Sequence, residues 1–126
     1  MKIKVAATQM TCSWEIEDNI IKAKSLIKKA ASNGANIILL QELFQTPYFC
    51  IQYDEEIFKL AQTFENNKIL EQMSNLAKEL QVVLPISFFE KANNAYFNSI
   101  AVINSDGNIL GKYRKSQIPD GPGYLE

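Results

Sequence analysis

The chain of 126 residues contains no histidine. A Ser-His-Asp triad, a Cys-His pair and any zinc site that uses histidine are therefore excluded within it. If these residues carry hydrolytic chemistry, the reacting groups must be carboxylates, lysine, cysteine, serine or tyrosine.

Cysteine, excess charge and long apolar runs are also scarce. The two cysteines, Cys12 and Cys50, match no metal or redox spacing, which favours a reduced, cytoplasmic setting. A formal net charge of -1 gives no electrostatic reason to expect a nucleic acid or an anionic membrane as partner. No run approaches the roughly 18 apolar residues of a membrane span, and the opening MKIKVAATQM lacks the pattern of a signal peptide.

What is present is typical of one globular domain, since hydrophobic residues make up 47% and charged residues 21%. We expect a helix that opens at Asp18 or Asn19 and stops at Gly34. The apolar run NIILL and the loop Asn104–Gly107 indicate a buried strand and a hairpin. The predicted elements are strands at 2–9, 36–40, 82–89, 95–103 and 108–114, and helices at 18–33 and 66–80, with an irregular stretch at 43–64.

This order predicts an α/β fold that begins with a βαβ unit and parallel strands. The run NIILL is expected to be buried on both faces of the sheet. Two helices cover only one face of such a sheet well, so the layer looks unfinished. We therefore interpret residues 1–126 as one partial domain.

Glu42 directly follows the buried strand 36–40. Functional groups in α/β folds lie at the carboxyl ends of strands, where a desolvated carboxyl group is suited to proton transfer. The alternative is a solvated carboxylate, or one that pairs with a nearby lysine.

Lys115 lies at the end of the last predicted strand, in the segment GKYRKS. A lysine there can stabilise a developing oxyanion. The alternative is that Lys112, Arg114 and Lys115 form a basic strand edge that serves solubility.

The remaining candidates are better explained by packing. Cys50 has no base near it in the sequence, and Cys12, beside Trp14, is interpreted in the same way. Tyr48 is a packing residue or a substrate contact, since aromatic side chains often line pockets. The segment Asp120–Gly123 predicts a turn.

Three segments together resemble the nitrilase, or carbon–nitrogen hydrolase, superfamily. These are VAATQM, IILLQELF and GKYRKSQIPD, in that order, and the resemblance covers essentially the whole chain. The stretches MTCSWE, ELFQTPYFC and YRKSQIPDGPGY are similar to the branch that hydrolyses N-carbamoylputrescine to putrescine, carbon dioxide and ammonia. Aliphatic amidases, nitrilases and glutamine-hydrolysing domains are alternatives within the superfamily, and a non-catalytic binding module is an alternative outside it.

The resemblance implies an αββα sandwich and a Glu-Lys-Cys triad without metal or organic cofactor. Glu42 would be the general base and Lys115 the stabiliser of the tetrahedral intermediate. A cysteine would attack the carbamoyl or amide carbon, and water would hydrolyse the thioester. The family's nucleophile follows the lysine segment, whereas both cysteines here precede it. We therefore expect a fragment or truncated product that is inactive alone, from an enzyme that forms homo-oligomers.

Overall fold

The computed structural model describes residues 1–51, 54–119 and 121. Within these residues two α-helices and five strands alternate in the order expected of an α/β fold. Two short 3₁₀ helices, Phe49–Ile51 and Glu55–Leu60, lie in the stretch that we predicted to be irregular. The strands are β1 (Val5–Ala7), β2 (Ile37–Leu39), β3 (Leu84–Ala92), β4 (Ala95–Ile103) and β5 (Ile109–Arg114), and the helices are α1 (Ile16–Ser32) and α2 (Lys68–Leu80).

The strands follow one another in space in chain order. β1 and β2 are parallel, which confirms the predicted βαβ unit, and β3, β4 and β5 are antiparallel. A parallel bridge between Ile37 and Val83 joins the two groups, with the Val83 N–H donating to the Asn36 carbonyl at 2.9 Å. The β4–β5 hairpin was predicted, and its Gly107 has φ +86°. A Cβ there would lie 2.9 Å from the Ser74 carbonyl oxygen, so a larger residue does not fit.

The hydrophobic core lies between the helices and one face of the sheet. Both helices contribute an apolar stripe, and the strands contribute every second residue. The core includes Ile20, Ala23 and Ile27 of α1, Ile69, Leu70, Met73, Leu76 and Ala77 of α2, and Ile38, Leu84, Ile86, Phe88, Ala101 and Ile103 of the strands. None of the helices in the described part of the chain is long and apolar enough to span a bilayer.

The opposite face of the sheet is open, as we expected for an unfinished layer. Leu39, Val5 and Tyr113 are 46%, 70% and 60% exposed. The prediction that NIILL is buried on both faces is therefore wrong. Only Ile38 and Leu40 of this run are buried hydrophobic residues, because no helix of the described part of the chain covers the face to which Leu39 belongs.

Several other boundaries differ from the prediction, among them those of β1, which spans Val5–Ala7 rather than 2–9. Helix α1 begins at Ile16 after Glu15, so neither Asp18 nor Asn19 is its N-cap. Asn19 is instead fully buried, and its carboxamide donates to the carbonyls of Ser13 and Gln45. Strand β3 runs to Ala92 rather than ending at 89, because it pairs with β4 as far as Ala92 opposite Ala95.

Candidate functional site

Glu42 lies in a turn that follows β2, and its backbone is held from β3. The next residue, Leu43, has φ +50°, a conformation that side-chain-bearing residues rarely adopt. The Leu43 N–H donates to the Ser87 hydroxyl of β3 at 2.8 Å, and both residues are buried. This hydrogen bond from a rigid strand stabilises the strained turn and thereby fixes the backbone at Glu42.

A second contact fixes the residue before Glu42. The side chain of Gln41 binds the backbone of Met10 twice: its Oε1 accepts from the Met10 N–H at 3.0 Å, and its Nε2 donates to the Met10 carbonyl at 3.1 Å. The segment that follows β1 is therefore tied to the turn. Together with the bond at Leu43, this contact holds Glu42 from both sides along the chain.

The structure brings Glu42 and Lys115, 73 positions apart in sequence, into direct contact. Lys115 follows the last residue of β5, and its Nζ donates to Glu42 Oε1 at 3.2 Å. The side chains of Lys115 and Glu42 are 33% and 43% exposed, so the pair is open to solvent and to a ligand. The two residues that we singled out separately form one site.

Asn98 of β4 completes this contact and was missed by the sequence analysis. Its Nδ2 donates to Glu42 Oε1 at 2.7 Å, and its backbone carbonyl accepts from the Lys115 N–H at 2.8 Å. A signal was available, because Asn98 is a carboxamide within a mostly apolar strand and a buried polar group requires a partner. The local pattern could not identify Glu42 as that partner.

A pocket of about 290 Å³ opens beside this contact, on the face of the sheet opposite the helices. Apolar side chains form most of its wall, and Glu42 and Lys115 supply the charged groups. The lining residues are Leu39, Leu40, Glu42, Ser87, Asn98, Ser99, Ile100, Tyr113 and Lys115. A proton acceptor beside a cation in a largely apolar pocket is suited to binding a small polar group and transferring its protons.

A second carboxylate, Glu90 of β3, lies on the helix-covered face. It accepts hydrogen bonds from the Ser99 hydroxyl, from the Lys112 ammonium and, in a bidentate arrangement, from the Arg114 guanidinium. The bonds from Arg114 lower the pKa of the Glu90 carboxyl from 4.5 to about 2; burial opposes this shift, and Lys112 and Ser99 reinforce it. Lys112 and Arg114 are therefore bound to a buried carboxylate, so the alternative of a basic edge that serves solubility is wrong for these two residues.

Neither cysteine lines the pocket beside Glu42. Cys50 is 1% exposed and packs in a cluster with Leu43 and Phe49, as expected for a packing residue. The Cys12 thiol donates to the Phe44 carbonyl at 3.2 Å, and burial raises its pKa, which disfavours the reactive thiolate.

Tyr48 does not line the pocket either. It is partly buried against the cluster of Leu43, Phe49 and Cys50, in line with the packing interpretation, and its role as a substrate contact stays a prediction. Of the predicted turn Asp120–Gly123, only Gly121 belongs to the described residues.

The sequence of residues 4–126 matches the model of the carbon-nitrogen hydrolase family. N-carbamoylputrescine amidase of Arabidopsis thaliana is 51% identical over 125 residues, which are 99% of this chain and 42% of the relative. Citrullinase of Francisella tularensis is 46% identical over 124 residues, which are 98% of this chain and 43% of the relative. The chain thus spans about two fifths of the length of these relatives.

Solved structures of the same family have a similar fold. A carbon-nitrogen hydrolase from Helicobacter pylori superposes with a TM-score of 0.86 at 36% sequence identity. The match covers 95% of this chain and 41% of that chain. The expected nitrilase-type fold is therefore confirmed for the part of the fold that these residues form.

Proposed function

Because this chain belongs to the carbon–nitrogen hydrolase family, we propose that the protein hydrolyses the terminal ureido group of N-carbamoylputrescine, releasing putrescine, carbon dioxide and ammonia. The observation that carries the proposal is the contact between Glu42 and Lys115 at the edge of an open pocket. The 51% sequence identity to N-carbamoylputrescine amidase of Arabidopsis thaliana supports the choice of substrate.

In the proposed mechanism Glu42 is the general base. It takes the proton of a cysteine thiol, whose S–H bond breaks as an O–H bond forms on the carboxylate. The thiolate attacks the ureido carbon, and the Lys115 ammonium stabilises the negative oxygen of the tetrahedral intermediate. The carbon–nitrogen bond then breaks, and the proton held by Glu42 goes to the departing ammonia.

The second half of the reaction uses the same two side chains. Glu42 takes a proton from water, and the hydroxide attacks the carbon of the carbamoyl–cysteine intermediate. The Lys115 ammonium again stabilises the negative oxygen, the carbon–sulfur bond breaks, and the proton held by Glu42 goes to the departing thiolate. The carbamic acid that is formed decomposes to putrescine and carbon dioxide. The balance is one ureido substrate and one water consumed for one amine, one carbon dioxide and one ammonia.

The nucleophile in this proposal is a cysteine outside these 126 residues. Cys12 and Cys50 both precede Lys115 and do not line the pocket, and each packs against protein groups. The 126-residue chain by itself is therefore expected to be inactive.

A second candidate substrate is citrulline, which the resemblance to citrullinase favours. Citrulline carries the same terminal ureido group, so the chemistry at Glu42 and Lys115 is unchanged. The two substrates differ at the far end, where one has a single amine and the other an amino acid. An amidase or nitrilase activity on other substrates, or a non-catalytic role, would be the remaining alternatives.

The test is ammonia release by the protein in the form that its source cell produces. We expect turnover of N-carbamoylputrescine above that of citrulline and of simple aliphatic amides, and loss of turnover in Lys115→Ala. Lys59→Ala is the matched control, since Lys59 is exposed and pairs with the exposed Glu56 at a distance from the pocket lining. Turnover of citrulline alone would select the second candidate, and no turnover of any ureido, amide or nitrile compound would favour the non-catalytic role.

A further inference from the structure

We propose that Asn98 is the positioning residue of the site: it holds Oε1 of Glu42, so that Oε2 is the oxygen that accepts the proton. This inference rests on the proposed function, in which Glu42 is the general base. Asn98 lies outside the three segments that carry the resemblance to the carbon–nitrogen hydrolase superfamily.

Among the described residues, Asn98 is the one that forms short hydrogen bonds with both Glu42 and Lys115. Its side chain reaches Glu42 Oε1 at 2.7 Å, and its backbone carbonyl reaches the Lys115 N–H at 2.8 Å. The Lys115 Nζ lies 3.2 Å from the same Oε1 atom. Asn98 thus links the base and the lysine directly.

The differences in burial identify which of the three residues positions the others. Asn98 is 8% exposed and lies within β4, where it pairs with Phe89 of β3. The side chains of Glu42 and Lys115 are 43% and 33% exposed, and both residues lie just outside strands. A half-exposed carboxylate in a turn has rotational freedom that a hydrogen bond from a rigid strand removes.

The two donors also distinguish the carboxylate oxygens. Within residues 1–51, 54–119 and 121, the hydrogen bonds to the Glu42 side chain all end on Oε1. Oε1 is therefore occupied by Asn98 and Lys115, and Oε2 is the oxygen left to receive a proton from thiol or water. A neutral amide suits this task, because it donates without competing for the transferred proton.

Two variants of the full-length protein test this role. Asn98→Ala removes the donor, and we expect kcat to fall between about 10-fold and 100-fold, the range for a hydrogen bond to a charged group. KM should stay within about twofold, because the proposed interaction orients a catalytic group rather than the substrate. Asn98→Asp places a second carboxylate at Glu42, and the acid limb of the kcat/KM profile should move up by about one pH unit.

The matched control is Asn94→Asp, the same substitution at an exposed position of the β3–β4 turn. It should leave kcat, KM and the pH profile unchanged. If the two Asn98 variants behave like this control in an active enzyme, the inference is wrong while the proposed function stands. If the wild-type protein turns over no substrate at any pH, the proposed function fails.

A measurement that needs no turnover tests the contact itself. In the ¹⁵N–¹H spectrum, the side-chain amide of Asn98 should be shifted downfield by its bond to a carboxylate, and Glu42→Ala should remove that shift. The side-chain amide of Asn94 serves as the internal reference. An Asn98 signal that does not respond to Glu42→Ala would overturn the inference even if the Asn98 variants fail to fold.

Discussion

Each face of the β4–β5 hairpin meets a carboxylate from another segment that is bound to cationic side chains, yet the two carboxylates differ in burial. Glu90, on the helix-covered face, has a side chain that is 1% exposed and is bound by Ser99, Lys112 and Arg114. Glu42, on the open face, is 43% exposed and is bound by Asn98 and Lys115. The same pairing of charges is therefore closed on one face and accessible on the other.

The alternation of side chains along β5 explains how adjacent basic residues are divided between the two groups. Arg114 pairs with Ser99 across the strands, whereas Lys115 hydrogen-bonds through its backbone to Asn98. Successive residues of a strand point to opposite faces, so Arg114 reaches Glu90 and Lys115 reaches Glu42. This comparison predicts that changes at Glu90 alter mainly stability and that changes at Glu42 alter mainly activity.

The largest expected effect is on activity at the open face. Glu42→Gln keeps the shape of the side chain and removes the proton acceptor, so kcat should fall about 10³-fold, within the range for loss of a general base. The free energy of unfolding should change by less than about 1 kcal/mol, because the lost ion pair is half exposed. Ammonia release and urea unfolding of the same preparation measure both quantities.

Glu79→Gln, at an exposed position near the end of α2, is the control for this prediction. It should leave both quantities unchanged. An active Glu42→Gln variant would contradict the division of roles between the two faces.

The next effect is a loss of stability at the closed face. Glu90→Gln leaves Lys112 and Arg114 without their buried counter-charge. We expect the free energy of unfolding to fall by about 3 kcal/mol. This is the low end of the range for breaking a buried pair, because Arg114 is 40% exposed and regains some hydration. Urea unfolding measures the change.

The comparison for Glu90→Gln is Glu56→Gln, which breaks the ion pair between Glu56 and Lys59. Both side chains of that pair are at least 70% exposed, so the expected cost is below about 0.5 kcal/mol. Equal effects of the two substitutions would mean that burial does not distinguish these carboxylates.

Sequence analysis found the open-face pair but neither Asn98 nor Glu90. Glu42 and Lys115 stand at strand ends and within motifs, both of which are local features. The roles of Asn98 and Glu90 depend on which residues of β3, β4 and β5 stand opposite one another, and that register is a property of the assembled sheet. The alternation of side chains along 112–115 could have shown that Lys112 and Arg114 lie on the face opposite Lys115. It could not have shown that a buried carboxylate lies on that face.

The stability that Glu90 provides on the helix-covered face is expected to depend on pH. The pKa of Glu90 is lowered from 4.5 to about 2 in the folded protein, so the unfolded chain binds the proton more tightly. The stabilisation by Glu90 is therefore complete above pH 4.5 and is lost as the pH falls towards 2. By pH 3 about 2 kcal/mol should be gone, and this part of the acid destabilisation should be absent from Glu90→Gln.

Urea unfolding at pH 7, 5, 4 and 3 follows this loss in wild type and variant. The two curves of unfolding free energy should converge as the pH falls. Parallel curves would contradict a lowered pKa for Glu90.

The elements themselves were predicted more completely than their boundaries and contacts. Asn67 caps α2 through hydrogen bonds from the Ile69 and Leu70 N–H groups, a local device that lies within the predicted helix 66–80. The start of α1 was wrong because Asn19 serves the tertiary contacts of two loops instead of the helix terminus. The apolar stripe therefore sufficed to predict α2, whereas the cap prediction failed at Asn19, whose side chain acts on other segments.

The smallest expected effect among these positions is at Ser87, which lines the pocket on the open face. Its hydroxyl accepts the N–H of Leu43, and Ser87→Ala leaves that buried donor without its partner in a turn with φ +50°. We expect a cost of about 1 to 2 kcal/mol in unfolding free energy. Because the same bond fixes the backbone next to Glu42, kcat should fall as well, by less than in Glu42→Gln. Ser87→Thr keeps the hydroxyl and should retain most of the unfolding free energy and of kcat. A Ser87→Thr variant as impaired as Ser87→Ala would show that packing, rather than this hydrogen bond, holds the turn.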